Sequence, residues 1–287
     1  MHPGRALSRR LWRLLEPYHS VLYFAPEARE RYDEIGLRGF WMGYFAGRAA
    51  PMGAVSAGTV VATFFNFRPD MVARAIPDAW SFASPAAVID ARLAGVDRAL
   101  RRLVPGKMDD PAVHEAAALA RAAAEEADAP GRPLFAANVE LPWPDEPHLV
   151  LWQAATCLRE HRGDGHVAAL MAAGLDGCQA HLTLAGTGTI PRDVLQHNRG
   201  WSDEDWTRAA EQLTARGWLD AAHRLTEEGR AARQAIEDRT DELASSPWKR
   251  LGEHRAERLS ELLRPLARGV VSAGGVPVPN PIGVPDP

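Results

Sequence analysis

The densest group of side chains able to do chemistry is Arg159-Glu160-His161-Arg162-Gly163-Asp164-Gly165-His166. His161, Asp164 and His166 are the residue types of a facial metal site or of an acid–base pair. Arg159 and Arg162 can grip a carboxylate or phosphate through two parallel hydrogen bonds. Gly163 and Gly165 predict a break between two helices, where backbone can approach a ligand closely. The same residues read equally well as a capping and ion-pair network at a helix junction. The spacing of the two histidines matches no established zinc pattern such as HExxH, so no metal is assigned. The ligand candidates here are Arg159, His161, Arg162, Asp164 and His166.

A second group surrounds Tyr18-His19. Pro17 and Pro26 bracket an aromatic turn holding Tyr23 and Phe24, with Arg48 downstream. A pocket lined by Tyr23, Phe24, Phe40, Trp41, Tyr44 and Phe45 suits a small aromatic or apolar ligand, and an ordinary aromatic core is the alternative. Asn66 and Arg68, in FFNFRP, are polar in an apolar neighbourhood, and each needs a partner if buried. His19, Tyr23, Arg48 and Asn66 therefore join the ligand candidates. GxSxG, the P-loop and HExxH are all missing, so no enzyme class, catalytic residue or cofactor is assigned. Gly186-Thr187-Gly188-Thr189 precedes a proline-started helix and reads as a connector.

The most specific local pattern covers residues 190–242. Ile190 to His197 predicts a short helix and Trp201 to Arg216 a second, opened by Ser202 with Asp205 three residues on, a capping-box variant. Gly217 ends it. Trp218-Leu219, a turn DAAHR, and Leu225-Thr226 predict a small hairpin, and Thr226 caps a long helix. The string RGWLDAAHRLTEEGR resembles the end of MarR-type winged helices, in which a recognition helix leads through a hairpin wing to the next helix. As a DNA reader the helix is poorly equipped. Asp203, Glu204 and Asp205 suit the helix dipole but repel phosphate. Arg208, Gln212, Arg216 and Arg224 are the DNA-contact candidates.

Positioning these groups falls to a chain of 287 residues, 46% hydrophobic, with a formal net charge of -4. The length predicts two domains, and the charge argues mildly against a dedicated nucleic-acid binder. Two cysteines, Cys157 and Cys178, make no disulfide framework and fit a reducing cytoplasm. The apolar run near the N-terminus is too short for a signal segment, and no membrane span is expected. Proline and glycine punctuation predicts helices over 6–17, from Pro26 to Gly36, over 38–48, from Pro69, from Pro85 to about Val104, and over 110–127. Residues 53–67 could be buried helix or strand, and their length favours helix. The expected division is a helical domain over 1–127, a proline-rich connecting arm over 128–147, a helical and winged-helix domain over 148–268, and a proline-rich tail over 269–287.

Taken whole, the chain is similar to the actinobacterial helix-turn-helix family labelled SalK. The resemblance rests on YFAPEARERYDEIGLRGFWMGYFAGRAAPMG, ATFFNFRPDMVARAIPDAW and LREHRGDGHVAALMAAGLDG, completed by GWSDEDWTRAAEQLTARGWLDAAHRLTEEGR. It implies a helix-turn-helix module fused to a helical domain, and no particular reaction. The expected protein is mainly α, with an N-terminal helical domain and a C-terminal MarR-like winged helix bearing a small β-hairpin wing. It binds a small molecule, either as a ligand-responsive regulator with weak DNA equipment or as an enzyme or binding protein using REHRGDGH. Long helices after Thr226 and through Trp248 to Leu266 could pair two copies in a homodimer, or bury their apolar stripes within one chain.

Overall fold

Besides α1 (Pro3–Phe24), six helices start at a proline, which lacks the N–H that a helix does not need in its first turn. They are α2 (Pro26–Glu34), α5 (Pro69–Ala73), α7 (Pro85–Leu103), α8 (Pro111–Glu125), α9 (Pro133–Val139) and α10 (Pro147–Ala172). In this computed structural model, residues 3–277, 280, 282–284 and 287 are described. The other helices are α3 (Gly39–Ala49), α4 (Ala57–Phe64), α6 (Ala79–Phe82), α11 (Gly177–Ala185), α12 (Arg192–Arg199), α13 (Asp203–Ala215), α14 (Glu227–Leu243), α15 (Ser246–Leu251) and α16 (Glu253–Ser272). The chain is mainly α, and no strand forms among the described residues. None of these helices is long and apolar enough to cross a membrane.

Two apolar cores form. The larger takes in α1–α10 up to Leu158 and returns to include α15, α16, Val276 and Val284. The smaller runs from Ala169 to Ile236 and takes in α11, α12, α13 and part of α14. Helix α10 serves both, and α14 packs against α10 and α1. The apolar stripe of α16 is covered by α1 and α8. The expected arm folds in part as α9, which buries Leu134, Phe135 and Asn138. In the tail, Asn280 donates to the carbonyls of Pro277 and Val284 and accepts from the amides of Ile282 and Val284. Residues 278–279, 281 and 285–286 of the expected extended tail, and the first two residues of the chain, lie outside the described residues.

Three local expectations are corrected. Pro17 does not end α1, which continues to Phe24. Leu14, Leu15, Tyr18 and Val21 on either side are all buried, and that burial offsets the roughly 3 kcal/mol cost of an internal proline. Gly163 and Gly165 do not break α10. Two glycines cost about 1 kcal/mol each, while α10 is sandwiched along most of its length. Gly165 is there for space: a Cβ would lie 2.8 Å from Arg132 Nη1 and 3.3 Å from Leu243 Cβ, so glycine lets α14 close on α10. The hairpin wing is reduced to one antiparallel bridge, Leu219 with Leu225. Asp220 reverses the chain too tightly for a ladder, its carboxylate accepting from the amides of Ala222 and Arg224, both at 2.9 Å.

Candidate functional site

The REHRGDGH segment is locked inside the protein. Arg48 of α3 donates from Nε and Nη2 to the two oxygens of Glu160, at 2.8 and 2.9 Å. Arg159 donates to Glu160 at 2.9 Å and reaches Glu16 at 3.4 Å. Arg162 donates to Asp241 at 2.9 Å and lies over the Trp12 ring. Asp164 accepts from the Phe135 amide at 3.0 Å, and burial pushes its carboxyl up to about 7. The two histidines part company. His161 sits edge-on to Phe135, its Nε2 without a partner among the described residues, and burial followed by Arg132 lowers its pKa to about 3. His166 Nδ1 meets Thr240 Oγ1 at 2.8 Å. Among the described residues no three His, Cys, Asp or Glu side chains gather to hold a metal. The crevice beside Trp12, His161 and Arg162 measures about 10 Å³, room for roughly one water. The geometry makes this segment a set of ion pairs joining α1, α3, α10 and α14.

The aromatic turn does line a cavity. About 140 Å³ of space opens between the end of α1, the start of α2 and the start of α3. Leu22, Tyr23, Phe24, Arg29, Tyr32, Phe40 and Tyr44 form its walls, with Ala25 and Pro26 at the bend. An apolar cavity of roughly 150 Å³ accepts one benzene-sized ring. Tyr23, Phe24, Phe40 and Tyr44 are the expected residues brought together here. Trp41 and Phe45 instead pack with Phe67, at 6.0 and 5.0 Å between ring centroids. Asn66 does not line this wall, and its carbonyl accepts from Trp201 Nε1.

Sequence reasoning missed Tyr32, and the signal for it is the pair Gly43 and Gly47. The Tyr32 ring lies along α3 because those positions have no side chain: a Cβ at Gly43 would sit 2.8 Å from Cδ2, and one at Gly47 2.1 Å from the hydroxyl. The Tyr32 hydroxyl is buried and has no hydrogen-bond partner among the described residues. His19 stands behind the cavity. Thr156 Oγ1 donates to the Trp152 carbonyl at 3.0 Å, so it accepts from His19 Nδ1 at 2.9 Å. The Tyr23 hydroxyl then donates to His19 Nε2 at 3.1 Å. Burial, followed by Arg159, holds the His19 pKa well below 6.5, in keeping with a neutral ring. Burial raises the Tyr23 and Tyr32 phenols well above 10.0, so both keep their protons.

In the helix-turn-helix unit, α12 and α13 are joined by Gly200 at φ 75°. Ser202 accepts from the Asp205 amide and Asp205 returns the bond to the Ser202 amide, completing the expected capping box. Trp206, Ala209, Ala210 and Leu213 face inward. Every DNA-contact candidate is already engaged. Arg208 pairs with Asp205, and Gln212 accepts from Gln179 Nε2 at 2.8 Å. Arg216 stacks 3.9 Å above Trp218, and Arg224 pairs with Asp220 at 2.9 Å. The turn itself is docked on residues 65–71, which lead from α4 into α5. Arg68 donates its amide to the Arg199 carbonyl at 2.9 Å and its guanidinium to Asp205 at 3.0 Å. Met71 fills the space a side chain at Gly200 would need.

A family model described as a helix-turn-helix family matches residues 8–277, nearly the whole chain. No curated protein and no solved structure matches it significantly.

Proposed function

This chain belongs to that helix-turn-helix family, and from that premise we propose that it is a small-molecule-binding protein that takes an aromatic ligand in the α1–α2–α3 cavity. The observation that carries the reading is the cavity itself, ring-sized and walled by Tyr23, Phe24, Tyr32, Phe40 and Tyr44. Aromatic walls favour offset and edge-on ring contacts, worth about 0.5–1.5 kcal/mol each beyond burial. The helix-turn-helix unit serves as a docked scaffold, because its turn rests on Arg68 and Met71 and its outward face opens with Asp203 and Glu204. The MarR-related, SalK-like placement belongs to this proposal. It is supported by the order of α12, α13, a one-bridge turn and the Thr226-capped α14. The single chain is the ligand-binding unit, since the stripes on α14 and α16 face α1, α8 and α10. Thermal unfolding with a panel of one-ring aromatics tests the reading, because a ligand bound only by the native state raises stability. No shift with any member at millimolar concentration would defeat it.

A second reading, a ligand-responsive regulator, is favoured by one line of contacts. Tyr44 on the cavity wall packs against Phe67 at 5.5 Å, and Arg199 at the end of α12 lies 4.8 Å over Phe67. A ligand that moves Tyr44 would thus bear on the helix-turn-helix turn. Retardation of promoter DNA that changes with ligand distinguishes this reading from the first.

A further inference from the structure

Behind the cavity wall the charges do not balance. Arg48, Arg92 and Arg159 lie in this part of the core against Glu16 and Glu160. The two glutamates are taken up by Arg48 and Arg159. Arg92, 2% exposed, has no carboxylate partner among the described residues. It donates to the Gly47 carbonyl at 3.2 Å and to Asn138 Oδ1 at 3.4 Å, and lies over Trp152 at 5.2 Å. Its Nε has no partner among the described residues. A buried cation paired only with neutral groups is costly, and burial accordingly pushes the Arg92 pKa down.

Gly47 joins this cation to the cavity. Its carbonyl accepts from Arg92, and the Tyr32 hydroxyl occupies the space where its side chain would be. The two phenols then differ. The Tyr23 proton is committed to His19, while the Tyr32 proton is committed to nothing. Of the three wall phenols, Tyr32 is the one whose buried hydroxyl has no partner among the described residues, and it stands against Gly47 on the side of the uncompensated arginine.

We propose that the cavity takes a one-ring aromatic acid. The ring sits among Tyr23, Phe24, Phe40 and Tyr44, and the carboxylate accepts from the Tyr32 hydroxyl on the Arg92 side. A neutral aromatic fills the same space but leaves the positive excess standing. This rests on the reading of the cavity as an aromatic-ligand site, and deepens it by naming the ligand's charge.

The test is calorimetric titration of the full chain near neutral pH with benzoate and with benzamide, its uncharged counterpart of the same shape. Benzoate binds at least about tenfold more tightly, as expected for a hydrogen bond to a charged acceptor. Tyr32→Phe deletes an unpartnered atom and keeps the fold, confirmed by circular dichroism. It weakens benzoate about tenfold and benzamide less, because the amide carbonyl loses only a hydrogen bond between neutral groups. Equal affinity for the two probes overturns the acid while leaving the cavity reading standing. Benzoate binding indifferent to Tyr32→Phe overturns the placement of the carboxylate. Binding of neither probe removes both readings.

Discussion

Arg48 and Glu160, 112 residues apart in sequence, meet through two hydrogen bonds of 2.8 and 2.9 Å where α3 crosses α10. Glu160 is 1% exposed and also holds Arg159. Two cations thus depend on one carboxylate. Burial opposes its charge, but Arg159 and Arg48 outweigh that and hold its pKa well below the usual glutamate value.

Glu160→Gln should therefore be among the most damaging single changes in the chain. It strands the Arg48 guanidinium and leaves Arg159 with Glu16 alone, and breaking a buried pair costs about 3–5 kcal/mol. Replacing Arg48 and Glu160 together by Met should cost less than the sum of the single changes, since Arg159 keeps Glu16. Urea unfolding of the four proteins checks this. Additive losses would mean the pair is not coupled. The depressed pKa gives the sign of the acid response. The contribution of Glu160 is complete above about 4.5, its ordinary value, and is lost as pH falls through the lower folded value.

Histidines set an earlier acid limit. His19, His161 and His181 are buried, and burial pushes all three below 6.5, His161 to about 3. Partly buried His166 is also lowered to about 3. Each stays neutral in the fold and takes a proton only on unfolding, so its contribution is present above 6.5 and is lost as pH falls from there toward the folded value. The slope approaches about 1.4 kcal/mol per pH unit for each such histidine. Asp164, raised to about 7 by burial, works in the opposite direction and cancels one of them between 3.8 and 7. Unfolding free energy should thus drop steeply between neutral pH and pH 5, before the glutamates begin to titrate. A flat profile across that interval would mean that these rings are charged in the folded protein.

Gly47→Ala tests the cavity wall from its other side. The new Cβ would lie 2.1 Å from the Tyr32 hydroxyl and 2.7 Å from Cζ, contacts no real structure tolerates. The ring must shift, at about 1–3 kcal/mol for overpacking. The cavity changes shape with it, so aromatic probes should lose affinity. Adding Tyr32→Phe removes the worst contact and should recover part of the stability. Unchanged stability in Gly47→Ala would show that Tyr32 does not lie on α3.

The ease of reading differs by feature for physical reasons. Helix starts are local, and Pro26, Pro69, Pro85, Pro111, Ser202 and Thr226 announce them by backbone chemistry alone. The aromatic turn was legible too, because Pro26 and a run of rings fix both a bend and its lining. Pairings across the chain are not local. Nothing adjacent to Glu160 says that Arg48 will meet it, so a cluster of charged residues looks the same whether it opens to solvent or closes into ion pairs. The glycines misled for the same reason. Gly163 and Gly165 look like breaks in one dimension, and only the approach of Leu243 and Arg132 shows that Gly165 makes room for packing. Tyr32 needed the converse inference, from Gly43 and Gly47 back to the ring that covers them.

The outward face of α13 supplies the last prediction. Asp203 and Glu204 are exposed in its first turn, while Asp205 is tied to Ser202 and Arg68. Phosphate approaching this end meets the carboxylates of Glu204 and of Asp203, the latter already held by Arg192 and Gln196, and Arg208 is already paired with Asp205. Asp203→Lys with Glu204→Lys leaves the capping box intact and changes repulsion into attraction. Binding to non-specific duplex should rise, and the slope of log affinity against log salt should steepen by about 2, one for each new phosphate contact. The unaltered chain should show little retardation at physiological salt. If the double variant stays folded and gains nothing, Coulomb repulsion is not what keeps this face from DNA. The contact of Arg68 and Met71 with the turn would then be the barrier, and Arg68→Ala in the same background should release it.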